Sequence, residues 1–212
     1  DGYLDKESVT VADLPADQRP INQHWSWDRI LRSPYIKQAD VVQGLYVFES
    51  EFQMETIRRN FYFYEARCVH ESSLSPCIHS VVASKIGDED KAYELYLRTA
   101  RLDLDDYNKE AKEGLHITSM SGSWLAIVKG FAGMRVAQNK ISFEPYIPKG
   151  WKSYSFSITY RGAVLTVKVT SKKLELNLSA GYISNLEIYG KSYQMKEGET
   201  LACELKKRNF DK

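Results

Sequence analysis

The chain has 212 residues, of which 43% are hydrophobic, 27% charged and 12% aromatic, enough for one large domain or two small ones with a real core. Its 29 basic and 28 acidic residues nearly cancel, so no basic stripe or acidic tail points to nucleic acid or a membrane surface. Apolar runs such as Trp124–Val128 are far too short to cross a bilayer, and the acidic opening Asp1–Glu7 has no signal-peptide pattern, so a cytoplasmic protein is expected.

The first residue is not methionine, and Asp1 to Pro20 shows no periodicity and no cap before a core helix. That opening reads as a surface excursion entered from upstream, and the expectation is a fragment. Helical signals follow. Ala39–Glu49 and Phe52–Arg67 each suggest a helix. Ser75–Ile86 carries an apolar stripe through Ile78, Val81, Val82 and Ile86, with Pro76 near its start, where a missing amide costs little. Lys91–Leu104 places Ala92, Leu95, Tyr96, Thr99 and Leu102 on one face, with Asp88 as a plausible N-cap after the Gly87-Asp88 turn. Ser121–Gly130 gives a further helix, and short turns between such stripes suggest antiparallel helix pairs.

After Gly133 the period changes to two. Tyr154, Phe156, Ile158 and Tyr160 alternate with Ser155, Ser157 and Thr159, and Arg161-Gly162 turns the chain into Val164–Val169. Leu174, Leu176 and Leu178 alternate again, and Ile183–Tyr189 and Thr200–Leu205 read as further short strands punctuated by Gly181, Gly190 and Gly198. Pro145, Pro148 and Gly150 mark irregular chain between early strands. The expectation is mixed α and β in separate domains, a helical part followed by an antiparallel sheet that closes into a small sandwich.

Three cysteines, Cys68, Cys77 and Cys203, lack CxxC spacing and read as buried thiols in a reducing compartment; a Cys–His nucleophile would need His70 or His79. His70 and His79 are nine apart with no HxxxH or HExxH, so spacing gives no metal site. No GxGxxG, Walker loop or GxSxG elbow occurs. An inverting glycosidase needs two carboxylates roughly 6.5–9.5 Å apart. No pair stands out; Asp103, Asp105 and Asp106 read as a solvated helix end.

Four polar stretches adjoin helix starts: Pro34 to Asp40, His70 to Pro76, Gly114 to Ser119, and Ser121 to Trp124. Free amides and the positive end of the helix dipole favour an anion there, and phosphate fits best. Ser72 and Ser73 could donate hydroxyl and amide hydrogen bonds, and a protonated His116 could add a charge-assisted one. Each has a plainer reading as well: Ser72 or Ser73 as N-cap, His116 as a structural residue, Lys37 as a surface lysine, Gly122 as a packing glycine. Trp25, Trp27 and Tyr35 near Lys37-Gln38 could stack on sugar rings, whereas Trp124 and the Phe61–Tyr64 run read as core.

Taken in order, these stretches carry a resemblance. Lys37-Gln38-Ala39-Asp40-Val41, His70-Glu71-Ser72-Ser73-Leu74-Ser75, the run from Tyr96 to Leu104, and Gly114-Leu115-His116-Ile117-Thr118-Ser119 resemble glycoside hydrolase family 65. The last two look most like its maltose-cleaving phosphorylases. The resemblance is specific through about residue 145 and weak beyond it. It implies that residues 1–133 are the C-terminal part of an (α/α)6 catalytic barrel and that 134–212 are a C-terminal β-sheet domain. The reaction it implies is inverting, reversible phosphorolysis of maltose to β-glucose 1-phosphate and glucose, with no cofactor beyond phosphate as co-substrate. By position, Lys37 and Gln38 resemble the pair that contacts the glucosyl unit, and Ser72, Ser73 and His116 the phosphate-binding group; His70-Glu71 and Ser121-Gly122 would support them. The family's general-acid glutamate and Trp-Asp substrate loop lie upstream of the Lys-Gln pair, and no residue here matches either. A catalytic residue is therefore not expected in this chain, which alone should be inactive and should need the remainder of the catalytic chain, in a homodimer. The alternatives are a phosphorylase or hydrolase for another α-glucoside (kojibiose, trehalose), or a non-catalytic carbohydrate-binding module.

Overall fold

A computed structural model of the chain describes residues 9–19, 21–70, 72–106, 112 and 114–206. They gather into two compact units that divide in sequence between Trp124 and Leu125.

The first unit is helical. Short helices α1 (Ile21–His24) and α2 (Trp27–Leu31) precede α3 (Asp40–Val47), α4 (Met54–Glu65), α5 (Ser75–Ile86), α6 (Glu89–Ala100), the single turn α7 (Leu102–Asp105) and α8 (Ile117–Leu125). The helix expected over Lys91–Leu104 is thus two, separated by Arg101 in a non-helical conformation.

Helix α5 is the centre of this unit, with every residue but Lys85 buried. Pro76 sits in its first turn, and Gly87 closes it in a left-handed conformation (φ 91°) that lets the Asp88 amide reach back to the Ala83 carbonyl at 3.0 Å. Asp88 then caps α6, its Oδ1 accepting from the Lys91 amide at 3.0 Å. A helix buried all round must satisfy its polar groups internally. Ser80 accordingly donates to the Ala92 carbonyl (2.7 Å), and Ser119 of α8 donates to the Thr99 carbonyl (2.9 Å).

The second unit begins with a π-helical turn, Ala126–Phe131, and continues in eight strands: β1 (Arg135–Ala137), β2 (Lys140–Phe143), β3 (Ser153–Tyr160), β4 (Ala163–Thr170), β5 (Lys173–Ala180), β6 (Tyr182–Ile188), β7 (Lys191–Lys196) and β8 (Thr200–Glu204). They form two four-stranded sheets, β1-β2-β6-β7 and β3-β4-β5-β8. Alternation drives the burial: Leu165, Val167 and Val169 on β4, Leu174, Leu176 and Leu178 on β5, and Leu186 and Ile188 on β6 are sealed from solvent. The Arg161-Gly162 turn has both residues at positive φ (52° and 82°), the geometry a two-residue hairpin needs.

One expectation is corrected here, and one strand gives no signal. The domain is not wholly antiparallel, because β2 pairs with β6 in parallel, Ile141 opposite Leu186. Strand β7 gives no alternation signal because it is an edge strand with only Met195 buried.

Gly122 of α8 is a packing glycine. A Cβ there would lie 2.8 Å from the Cys77 Cβ, 3.0 Å from its Sγ and 3.2 Å from the Thr99 Cγ2. Gly122→Ala should therefore cost about 1–3 kcal/mol of stability despite its better helix propensity, as measured by denaturant unfolding.

Candidate functional site

The stretch holding Lys37 and Gln38 is laid beside the one leading into Ser72 and Ser73 by an isolated parallel bridge. Ile36 pairs with Cys68, the Ile36 amide donating to the Arg67 carbonyl (3.2 Å) and the Val69 amide to the Ile36 carbonyl (3.0 Å). Lys37 and Gln38 are exposed just before α3. Gln38 donates to Asp40 at 3.4 Å, and Lys37 borders a shallow surface depression with Trp27, Tyr35, Ile36 and Val69.

Of the aromatic residues near it, only Trp27 is presented to solvent (61% exposed). Trp25 and Tyr35 are core instead. Their rings meet edge to face at 5.4 Å, Trp25 donates to Gln18, Tyr35 donates to the Val9 carbonyl, and Leu14 and Ile21 complete the cluster. The Phe61–Tyr64 run divides, because a helix buries only one face: Phe61 is sealed while Tyr62 and Phe63 are exposed. Trp124, expected in the core, is 48% exposed; it lies seven residues beyond Ile117 and four beyond Met120, both also exposed, on one face of α8.

Ser72 and Ser73 are half-buried immediately before α5. Neither is its N-cap residue, a position Leu74 occupies. Ser72 instead makes a local turn, its Oγ accepting from the Leu74 amide (3.2 Å) and its carbonyl from the Ser75 amide (3.2 Å). Glu71 lies outside the described residues.

His116 stands directly before α8, its carbonyl accepting the Ser119 and Met120 amides. Its ring Nδ1 is 2.6 Å from Asp103 Oδ1, and its own amide donates to Asp103 Oδ2 at 3.0 Å. Asp103 is thus not part of a solvated helix end. The His116 hydrogen bonds hold its carboxyl below the usual carboxylate range. Asp105 does behave as an exposed partner, paired with both Arg101 Nε and Nη2. Helix α8 packs through Gly122 onto the first turn of α5, the turn that follows Ser72 and Ser73.

Sequence spacing missed the cluster behind these serines. Glu65, the last residue of α4, has its Oε2 2.5 Å from His79 Nδ1 and 3.1 Å from His70 Nε2; the two imidazoles stand 4.7 Å apart, edge to face. His79 is fully buried and His70 is 6% exposed. Their nine-residue separation gives no signal because one lies in a loop and the other in a helix. Among the described residues this is the group whose donor atoms, within 4.8 Å of one another, could hold a metal ion, which spacing did not suggest. Hydrogen bonds already occupy it except at His79 Nε2, which has no partner.

Burial raises the Glu65 carboxyl, but the bonds from His70 and His79 outweigh it and hold the group well below the carboxylate range. Burial also lowers His79, against the opposing pull of Glu65. Both directions describe a carboxylate accepting from a neutral His79 that carries its proton on Nδ1, leaving a bare lone pair at Nε2. His70 is further held by Arg98, whose Nη2 donates to its carbonyl at 3.2 Å, and its φ of 51° is a left-handed conformation that costs a non-glycine residue about 1–2 kcal/mol. Cys68 Sγ does lie 3.5 Å from His70 Nδ1, but burial pushes the thiol up to about 12, so it is protonated at neutral pH and no nucleophile.

The signs of these shifts set a pH dependence. A His79 lowered below its unfolded value of 6.5 takes up a proton on unfolding, so stability falls as pH drops below 6.5. Glu65, lowered from 4.5, adds a further loss below that pH. Denaturant unfolding at stepped pH should show a positive slope of up to about 1.4 kcal/mol per pH unit from His79 below pH 6.5. His79→Asn should flatten that slope, whatever its effect on absolute stability.

Comparison with known proteins shows which family the chain resembles. Residues 1–125 match the glycosyl hydrolase family 65 central catalytic domain, and residues 134–195 match the family's C-terminal domain. The chain is 55% identical over 189 residues to maltose phosphorylase of Bacillus subtilis (strain 168), covering 89% of this chain and 25% of that protein. It is 40% identical to alpha,alpha-trehalose phosphorylase of Thermoanaerobacter brockii, covering 94% of this chain and 26% of that one. A solved structure from the human microbiome, provisionally named a kojibiose phosphorylase, superposes with a TM-score of 0.84 at 34% identity, over 98% of this chain and 32% of the other. The chain spans about a quarter of the length of the curated relatives it matches. With both of the family's domain patterns present in order, the chain belongs to glycosyl hydrolase family 65.

Proposed function

We propose that this chain holds the phosphate side and part of the sugar side of an inverting disaccharide phosphorylase acting on maltose. The observation that carries the reading is the Ile36–Cys68 bridge, which lays the Lys37-Gln38 stretch beside the loop entering Ser72 and Ser73. The chain's likeness to maltose phosphorylase over most of its length supplies the choice of sugar. In this reading residues 1–133 are the last part of an (α/α)6 barrel and 134–212 the C-terminal sheet domain. The exposed apolar side chains Ile117, Met120 and Trp124 on α8 support a helical face that further chain would cover. A cytoplasmic homodimer belongs to the same proposal.

The chemistry needs donors rather than a second carboxylate. A phosphate oxygen attacks the anomeric carbon, the glycosidic C–O bond breaks, and a carboxylic acid from the upstream region protonates the departing glucose oxygen. A second carboxylate beside the attacking phosphate would repel it. Ser72 and Ser73 supply hydroxyls and backbone amides at the start of α5, where the dipole favours an anion. A protonated His116 can donate from Nδ1 to Asp103 and from Nε2 to phosphate, so Asp103 sets the orientation of the ring. In this reading Lys37, which borders a depression with Trp27, and the exposed Gln38 take hydroxyls of the glucosyl unit.

His116→Ala removes one charge-assisted hydrogen bond, and in a chain extended with the upstream region of its relatives KM for phosphate should rise about 10- to 100-fold. KM for maltose should change by less than about threefold, and equal losses in both would count against the phosphate role. Lys37→Ala should show the opposite split in the same steady-state assay, with KM for maltose rising more. Turnover of trehalose or kojibiose with phosphate, but not of maltose, would move the assignment to another α-glucoside.

A further inference from the structure

We propose that Glu65, His70, His79 and Arg98 form a positioning device for the Ser72–Ser73 turn, acting through the backbone of His70 and touching no substrate themselves. The inference rests on the reading of Ser72 and Ser73 as phosphate donors and extends it to the residues that hold them.

The geometry converges on one residue from three helices. Glu65 at the end of α4 takes the His70 ring through Nε2, and the same carboxylate oxygen is bound by His79 from the middle of α5. Arg98 of α6 takes the His70 carbonyl. His70 is therefore gripped by side chain and main chain together, in a left-handed conformation that is costly for a non-glycine residue. Two residues later the chain makes the turn in which Ser72 accepts the Leu74 amide and α5 begins. If His70 relaxed to negative φ, the direction of the following residues would change, and Ser72 and Ser73 would leave their places relative to the Ile36–Cys68 bridge.

Lys91 adds a weaker hold, with Nζ 3.8 Å from the other Glu65 oxygen. A carboxylate that accepts from two buried rings has little freedom to rotate, which suits it to fixing a loop. Such supporting groups change the affinity of the site they orient without contacting the ligand.

The test uses the chain extended with its relatives' upstream region and reads KM for phosphate, KM for maltose, and amide exchange at Ser72, Ser73, Leu74 and Ser75. Glu65→Gln and the milder Arg98→Met should raise KM for phosphate about 5- to 50-fold, with KM for maltose within about twofold, and speed exchange at those amides about tenfold or more. His70→Gly should retain more phosphate affinity than His70→Ala, because glycine adopts the left-handed turn without strain. Unchanged exchange in Arg98→Met, or His70→Ala matching His70→Gly, overturns the positioning role. Ser72→Ala and Ser73→Ala separate the two ideas. If they leave KM for phosphate unaltered while exchange still rises in Arg98→Met, the phosphate reading fails and the positioning role stands.

Discussion

One carboxylate oxygen organises the helical unit. Glu65 Oε2 takes nitrogens from both His70 and His79, and through them ties the end of α4, the loop before α5 and the interior of α5. A buried carboxylate is expensive unless it is well bonded. The two rings lower it far enough to stay ionised, and its charge in turn holds each ring in one orientation. Helix α5 is buried on nearly every face; His79 Nδ1 and the Ser80 hydroxyl find partners in Glu65 and the Ala92 carbonyl, whereas Ser75 Oγ and His79 Nε2 have none among the described residues.

The residues proposed to meet substrate come from segments between the helices. The Lys37-Gln38 stretch is held by two backbone hydrogen bonds across the Ile36–Cys68 bridge. In the reading proposed above Ser72 and Ser73 depend on the left-handed His70 turn, while His116 is bonded to Asp103. In each case the residue proposed to meet substrate lies at a helix start, while the group that orients it comes from another element. Loops bear the contacts and helices set their direction, so the site is only as well defined as the packing behind it.

Several features were legible from residues alone because their physics is local. The Asp88 cap, Pro76 in the first turn of α5, the Gly87 closure and the Arg161-Gly162 hairpin each follow from the conformational preference of one or two residues. The alternation of β4 and β5 announced their buried rows for the same reason. Trp25 and Tyr35 could not be sorted from Trp27 in this way, since all three are aromatic and close in sequence. Only the fold shows two of them packed against Leu14 and Ile21 and one facing solvent.

By itself the sequence determined the change from helices to strands near Gly133 and the motifs that mark the family, since both are carried by neighbouring residues along the chain. The tertiary structure alone decided the parallel pairing of β2 with β6, the bond between Asp103 and His116, and the meeting of Glu65, His70 and His79. Each of these joins groups whose separation in sequence reflects the path of the chain and not its local chemistry. Spacing therefore could not announce them, and packing brought them together.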